Sequence, residues 1–170
     1  DCSGNNYNDT CAVTCGNGYN LNGPLEKTCQ ANGLWSGNDN SCVPANCGEV
    51  IIENGTMTCP SGGTTYPNTC NITCNNGHNL SGLNTMQCTA AGSWDTAAPT
   101  CIPADCGVAT TPANGSKECA NGTTFGNSCS FSCNEGYSLS SNTPITCYAD
   151  GSWSNESPTC IPASCPTLSN

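Results

Sequence analysis

The sequence predicts an all-β, disulfide-rich chain of small modules joined end to end into an elongated rod. Three observations predict it. Eighteen of the 170 residues are cysteine, a density that marks an oxidised extracellular scaffold. The cysteines recur in register: from Cys11, Cys70 and Cys129 the intervening residues number 3, 13, 12 and 4 each time, with a period of 59. Between them lie short β-branched or alternating segments bounded by Gly/Asn-rich turns, and no segment carries a helical period.

Each element follows from that register. "CAVTC", "CNITC" and "CSFSC" read as strands opening from Cys11, Cys70 and Cys129. Tyr7, Tyr66 and Phe125 each precede those cysteines by four residues. Gly18-Tyr19, Gly77-His78 and Gly136-Tyr137 align, each followed by Leu21, Leu80 or Leu139. Gly33-Leu34-Trp35, Gly92-Ser93-Trp94 and Gly151-Ser152-Trp153 align later in each unit. Asn54-Gly55 and Asn114-Gly115 are turn signals. A unit of this size buries too little surface to fold on a core alone. Disulfides at about 2–4 kcal/mol each are the usual remedy. One tryptophan per unit supplies the largest apolar body, on which the nearby cystines should pack.

The order cysteine, "GY.L", cysteine, "G.W", "PTC" resembles the sushi module, also called the complement control protein module or short consensus repeat. The resemblance covers essentially the whole chain. Six cysteines per unit, rather than four, are similar to the variant found in selectins. The resemblance implies pairing of first with fifth, second with third and fourth with sixth. Carried over, it gives Cys47–Cys88, Cys59–Cys70 and Cys74–Cys101 in the second unit, and Cys106–Cys147, Cys119–Cys129 and Cys133–Cys160 in the third. The first unit keeps Cys2–Cys11 and Cys15–Cys42. Spacing alone leaves fifteen connectivities for six cysteines. The implied domains are 1–42, a module lacking its first segment; 47–101; 106–160; and 165–170, the start of a further module or a segment completing a neighbouring chain's first one.

The near-repeats "SCVPANC", "TCIPADC" and "TCIPASC" straddle the module boundaries. Ile102, Pro103, Ala104 and Asp105 then form a whole linker between Cys101 and Cys106. A zinc knuckle is disfavoured because the module pattern claims these cysteines and the chain has one histidine. A redox pair would want C-x-x-C in a cytosolic setting. Proline fixes φ and extends the preceding Val43, Ile102 or Ile161, and that aliphatic residue is expected to tuck against the adjoining module. Near-identical joints should repeat one rotation and one shift, generating a rod or helical fibre.

Cys29 and Cys165 are left without partners. Either both partners lie outside a window on a longer array, or Cys165 of one chain pairs with Cys29 of the next. The second route builds an open filament by head-to-tail completion. Against direct fusion, joining tail to head leaves six residues between Cys165 and Cys2, where intact units have eleven or twelve. The chain opens inside a cysteine pattern with no signal peptide visible, as expected of a processed or excised piece of a secreted or cell-surface protein.

Twelve acids face only Lys27 and Lys117, for a net charge of −10. That field repels phosphate, excluding nucleic acid and anionic membrane as partners. No apolar run reaches the roughly 20 residues of a spanning helix, so no membrane insertion is expected in this segment. Sequons at Asn8, Asn54, Asn71, Asn79, Asn114, Asn121 and Asn155 predict a glycoprotein, since each lies near a turn or short strand. No catalytic residue, metal site or cofactor is expected beyond covalent glycans. His78 stands where Tyr19 and Tyr137 stand, as a framework ring rather than a triad member. The function expected is therefore non-enzymatic. The first reading is a structural segment of an extracellular, glycosylated rod or fibre that self-associates or continues the same array. The other is an adhesion or recognition module for a protein or carbohydrate ligand.

Overall fold

The computed structural model describes residues 2–166; Thr167–Asn170 of the expected further segment lie outside the described residues. The chain is all-β and carries eight disulfides. In the first repeat run β1 (Thr10–Ala12), β2 (Tyr19–Asn22), β3 (Glu26–Thr28) and β4 (Ser41–Pro44). The second holds β5 (Gly55–Thr58), β6 (Thr69–Cys74), β7 (His78–Ser81), β8 (Thr85–Gln87) and β9 (Thr100–Pro103). The third holds β10 (Gly115–Glu118), β11 (Ser128–Cys133), β12 (Tyr137–Leu139), β13 (Ile145–Thr146) and β14 (Cys160–Pro162).

The topology repeats as the sequence does. β5-β6-β8 and β10-β11-β13 are three-stranded sheets, and β2-β4, β7-β9 and β12-β14 are two-stranded ribbons. The pairs β1-β3, β2-β4, β6-β8, β7-β9, β10-β11, β11-β13 and β12-β14 are antiparallel, as short connections permit. Asn54 and Asn114 sit at φ of 55° and 56°, the left-handed turn their Asn-Gly dipeptides announce. The cystines are Cys2–Cys11 and Cys15–Cys42; Cys47–Cys88, Cys59–Cys70 and Cys74–Cys101; Cys106–Cys147, Cys119–Cys129 and Cys133–Cys160. Cys29 and Cys165 are free thiols, the first buried and the second exposed.

Period-two alternation sets the cores. Along β6, Cys70 and Ile72 point inward while Asn71 and Thr73 face solvent. The most deeply buried side chains are Met86 and Ile145 with the half-cystines Cys70, Cys88, Cys129 and Cys147. Sulfur therefore fills the middle of each module. Trp153 packs at the margin of the Ala109–Cys129–Ile145 cluster rather than at its centre, and Trp35 is more than a third exposed. The tryptophan is a wall of the core, not its hub.

The first repeat is thinner. Its sheet is β1-β3 alone, with no counterpart of β5 or β10 among the described residues. Lys27 occupies the register of Met86 and Ile145, paired opposite Cys11 as Met86 is opposite Cys70. Without a third strand to cover it, that position is only half-buried, and a lysine stem serves with its ammonium in water.

The contacts divide the chain into two compact units. One holds the residues up to Thr73 together with Gly82–Pro99, and the other holds Cys74–Ser81 together with the chain from Thr100 onward. The division runs through the middle repeat, so each unit contains one complete boundary between repeats. Ile145→Ala should cost about 2–5 kcal/mol, the usual price of a buried aliphatic truncation. Lys27→Ala at the same register should change stability by no more than about 0.5 kcal/mol. Denaturant titration followed by tryptophan fluorescence checks the contrast, and equal losses would contradict it.

Candidate functional site at the module joints

The joints are where the chain departs from ordinary sheet structure. In the first unit the peptide of Ala45 is held on both sides. Its N–H donates to Gly18 O at 2.8 Å, and its carbonyl accepts from Tyr66 N–H at 2.8 Å. In the second unit Ala104 N–H donates to Gly77 O at 2.8 Å, and Ala104 O accepts from Phe125 N–H at 2.8 Å. The two alanines are 3% and 2% exposed, so these bonds satisfy backbone groups that water does not reach. Each alanine thus ties the repeat behind it to the repeat ahead.

Glycine is required opposite. Gly18 and Gly77 have φ of 83° and 82°, a region that disfavours L side chains. A Cβ at Gly18 would collide with the Tyr66 ring, and one at Gly77 with the Phe125 ring. The rings behind these glycines meet edge to face. Tyr19 and Tyr66 have centroids 6.1 Å apart at 86°, and His78 and Phe125 6.2 Å apart at 77°, an arrangement aromatic quadrupoles favour. His78 therefore serves as the ring its position implies.

The last linker residue is also fixed. Asn46 Oδ1 accepts from Thr64 Oγ1 at 2.8 Å and from Gly48 N–H at 2.9 Å. Asp105 Oδ1 accepts from Thr123 Oγ1 at 2.7 Å and from Gly107 N–H at 2.9 Å. Asn46 and Asp105 form bridges with Thr65 and Thr124. The hydrogen bond from Thr123, then that from Gly107, holds the Asp105 carboxyl below its usual 3.8.

One expectation for the linker needs correction. Val43, Ile102 and Ile161 do not tuck against a neighbouring module; they are 42%, 51% and 53% exposed. Each stands opposite an exposed polar residue, Asn20, Asn79 or Ser138, on a two-stranded ribbon. The inner place is taken instead by Ala45 and Ala104, whose backbones make the bonds to Gly18 and Gly77. The linker is held along its length: Ile102 and Pro103 belong to β9, and Ala104 and Asp105 are bonded on both sides.

All seven sequon asparagines, Asn8, Asn54, Asn71, Asn79, Asn114, Asn121 and Asn155, are exposed. Among the described residues no group of three or more His, Cys, Asp or Glu side chains could hold a metal ion. Among the described residues no helix is long and apolar enough to cross a membrane.

The family model for the sushi repeat (SCR repeat) matches residues 2–42, 47–101 and 106–160. The chain belongs to the sushi repeat family. It is similar to mouse (Mus musculus) P-selectin, 36% identical over 166 residues, which cover 94% of this chain and 22% of that protein. Dog (Canis lupus familiaris) E-selectin is 34% identical, and human (Homo sapiens) E-selectin 33%, each over 171 residues covering 96% of this chain and 28% of the selectin. The chain thus spans about a quarter of the length of these relatives. Within sushi repeats, the alanine clasp, the glycine slot and the Asn46/Asp105 anchors escaped the sequence reading. The available signal was the invariant alanine of the three linkers, overshadowed by its more hydrophobic neighbour.

The Asp105 anchor gives a pH test. Its folded value is depressed, so its contribution is full above the unfolded value and is lost as pH falls through the lower folded one. In an amide-resolved NMR titration, Gly107 should shift with a midpoint below 3.8. Gly48, held by the uncharged Asn46, should show no such midpoint, and Asp105→Asn should abolish it at Gly107. A shared midpoint at both glycines would refute the assignment.

Proposed function

We propose that this chain is a stiff, sugar-bearing spacer segment of an extracellular adhesion-type protein, built from modules at 1–42, 47–101 and 106–160. One observation carries the reading: the two joints repeat the same contacts through Ala45 and Ala104, Gly18 and Gly77, Tyr66 and Phe125, and Asn46 and Asp105. A joint held by buried backbone bonds and interlocked rings resists bending, and equal joints repeat one step, which produces a rod. Such a segment sets distance rather than performing chemistry. Glycans on the exposed sequons would keep a weakly charged surface soluble. The selectin relatives favour a stalk at or outside the cell surface. Growth of rods into fibres would use the two free thiols, Cys29 and Cys165, as a head-to-tail link.

The alternative is a recognition module for a protein or carbohydrate ligand. It is favoured by the open cleft beside Trp153, lined by Val108, Ala109, Asn155 and Glu156, where Val108 is 84% exposed. The spacer reading predicts that small-angle scattering gives a single elongated particle. Gly77→Val should broaden its distance distribution by breaking one joint. A broad distribution for the unaltered chain, or none of that response in Gly77→Val, contradicts it. Removal of N-linked glycans should lower the mass of protein secreted from a glycosylating host; an unchanged mass removes the sugar coat from the account.

A further inference from the structure

The second joint carries a cleft whose walls break the repeat. It is lined by Asn76, Phe125, Tyr148, Ala149 and Asp150. One period earlier the same positions hold Asn17, Tyr66, Thr89, Ala90 and Ala91. Asn76 and the ring at 125 therefore belong to the framework. Tyr148 and Asp150 are additions of the third repeat, since the first has Gln30 and Asn32 in their places.

A tight turn holds both additions. Tyr148 N–H donates to Ser152 O at 2.8 Å, and Gly151 N–H donates to Tyr148 O at 3.1 Å. The base of the turn is tied to the loop that carries Phe125. Gly126 N–H donates to Cys147 O at 3.0 Å, and Cys147 N–H donates to Asn127 O at 2.8 Å. Phe125 is itself fixed, with His78 edge-on to it and Gly77 beneath it. Yet Phe125 is 37% exposed and Tyr148 52%, so two positioned rings stay open to solvent. Asp150 Oδ1 accepts from Ser152 Oγ at 2.6 Å and from Ser152 N–H at 2.9 Å. Those bonds, the hydroxyl's first, hold the carboxyl below its usual 3.8, so it is charged at neutral pH. The other oxygen, Oδ2, has no hydrogen-bond partner among the described residues.

We propose that this cleft receives an arginine side chain of a partner protein, its guanidinium on Asp150 Oδ2 and against the faces of Tyr148 and Phe125. A guanidinium is planar, stacks on aromatic rings and pairs with a carboxylate at the same time. No basic side chain lines the cleft to neutralise Asp150 from within. The chain's net charge of −10 draws a basic partner toward it. None of the lining residues is a sequon asparagine, so the chain's own glycans are not attached there. The site shares no lining residue with the cleft beside Trp153. It is independent of the spacer reading, which needs no ligand, and adds a recognition point to the second joint. A neutral sugar would stack on the same rings without using the charge, which makes it the competing occupant.

Amide-resolved NMR titration of the whole chain tests the proposal with three probes: N-acetyl-arginine methylamide, its citrulline counterpart, and methyl glucoside. The arginine probe should shift the Tyr148, Asp150 and Gly151 amides with a Kd of about 1–10 mM. Citrulline keeps the shape of the group without its charge and should bind at least about fivefold more weakly. Tyr148→Thr and Asp150→Ala restore the residues of the second repeat, where Thr89–Gly92 makes the same turn. Each should weaken the arginine probe about threefold or more, with the shifts of the module interior unchanged. No saturable shift by ~50 mM arginine, equal binding of arginine and citrulline, or affinity untouched by Tyr148→Thr would each overturn it. Tighter binding of methyl glucoside than of arginine would overturn it in favour of a carbohydrate.

Discussion

The structure depends on one small constraint: an alanine peptide pressed against a bare glycine backbone at each module boundary. Ala45 and Ala104 bury both their N–H and their C=O, and neither group can be left unpaired without a cost of about 1–3 kcal/mol. The donor's partner belongs to the repeat behind, and the acceptor's to the repeat ahead. A bent joint would open at least one of these bonds. The cystines make the walls rigid enough for the constraint to act. Cys15–Cys42 and Cys74–Cys101 tie the segments just before the glycines to the strands that lead into the linkers. Cys47–Cys88 and Cys106–Cys147 then anchor the linker's far end to the next module. Small modules with sulfur at their centres are joined by contacts of the same kind that hold a sheet together.

Much of this architecture was legible in the sequence, for physical reasons that can be named. The all-β class followed from short alternating segments, and Asn54 and Asn114 took the positive φ that Asn-Gly dipeptides favour. The position of His78 among tyrosines identified it as a ring before its contact with Phe125 was seen. The connectivity of the cysteines was not legible from spacing; it came with the sushi resemblance. The joint was misread where hydrophobicity was used to rank its residues. Val43 and Ile102 are the apolar members of their linkers, yet they stand exposed on two-stranded ribbons, while the inconspicuous alanine carries the contact. Gly18 and Gly77 stand in the sequence only as aligned repeat positions, and nothing in their type reveals that an aromatic ring lies over them. Lys27 shows the converse limit. A perfect period suggested equivalent cores, but register does not report whether a third strand covers the position.

The two joints differ in their ring pairs, Tyr19 with Tyr66 and His78 with Phe125, and in their anchors. The first is anchored by the amide of Asn46 and the second by the carboxylate of Asp105, which accept from matching partners. An amide keeps its acceptor at any pH, whereas a carboxylate trades it for a proton in acid. The hydrogen-bond geometry is therefore common to both joints, and only the second is anchored by a carboxylate. Elsewhere the units vary mainly in exposed polar residues and sequon positions, which leaves shape as the property the repeats share.

Hydrogen exchange at four backbone amides tests the central claim most directly. If the joints are built contacts, the N–H groups of Ala45, Tyr66, Ala104 and Phe125 should exchange as slowly as the Cys88 and Cys147 amides inside the modules. Exchange of those four at the rate of unstructured peptide, with the module interiors still protected, would show that the joints are hinges and contradict the account.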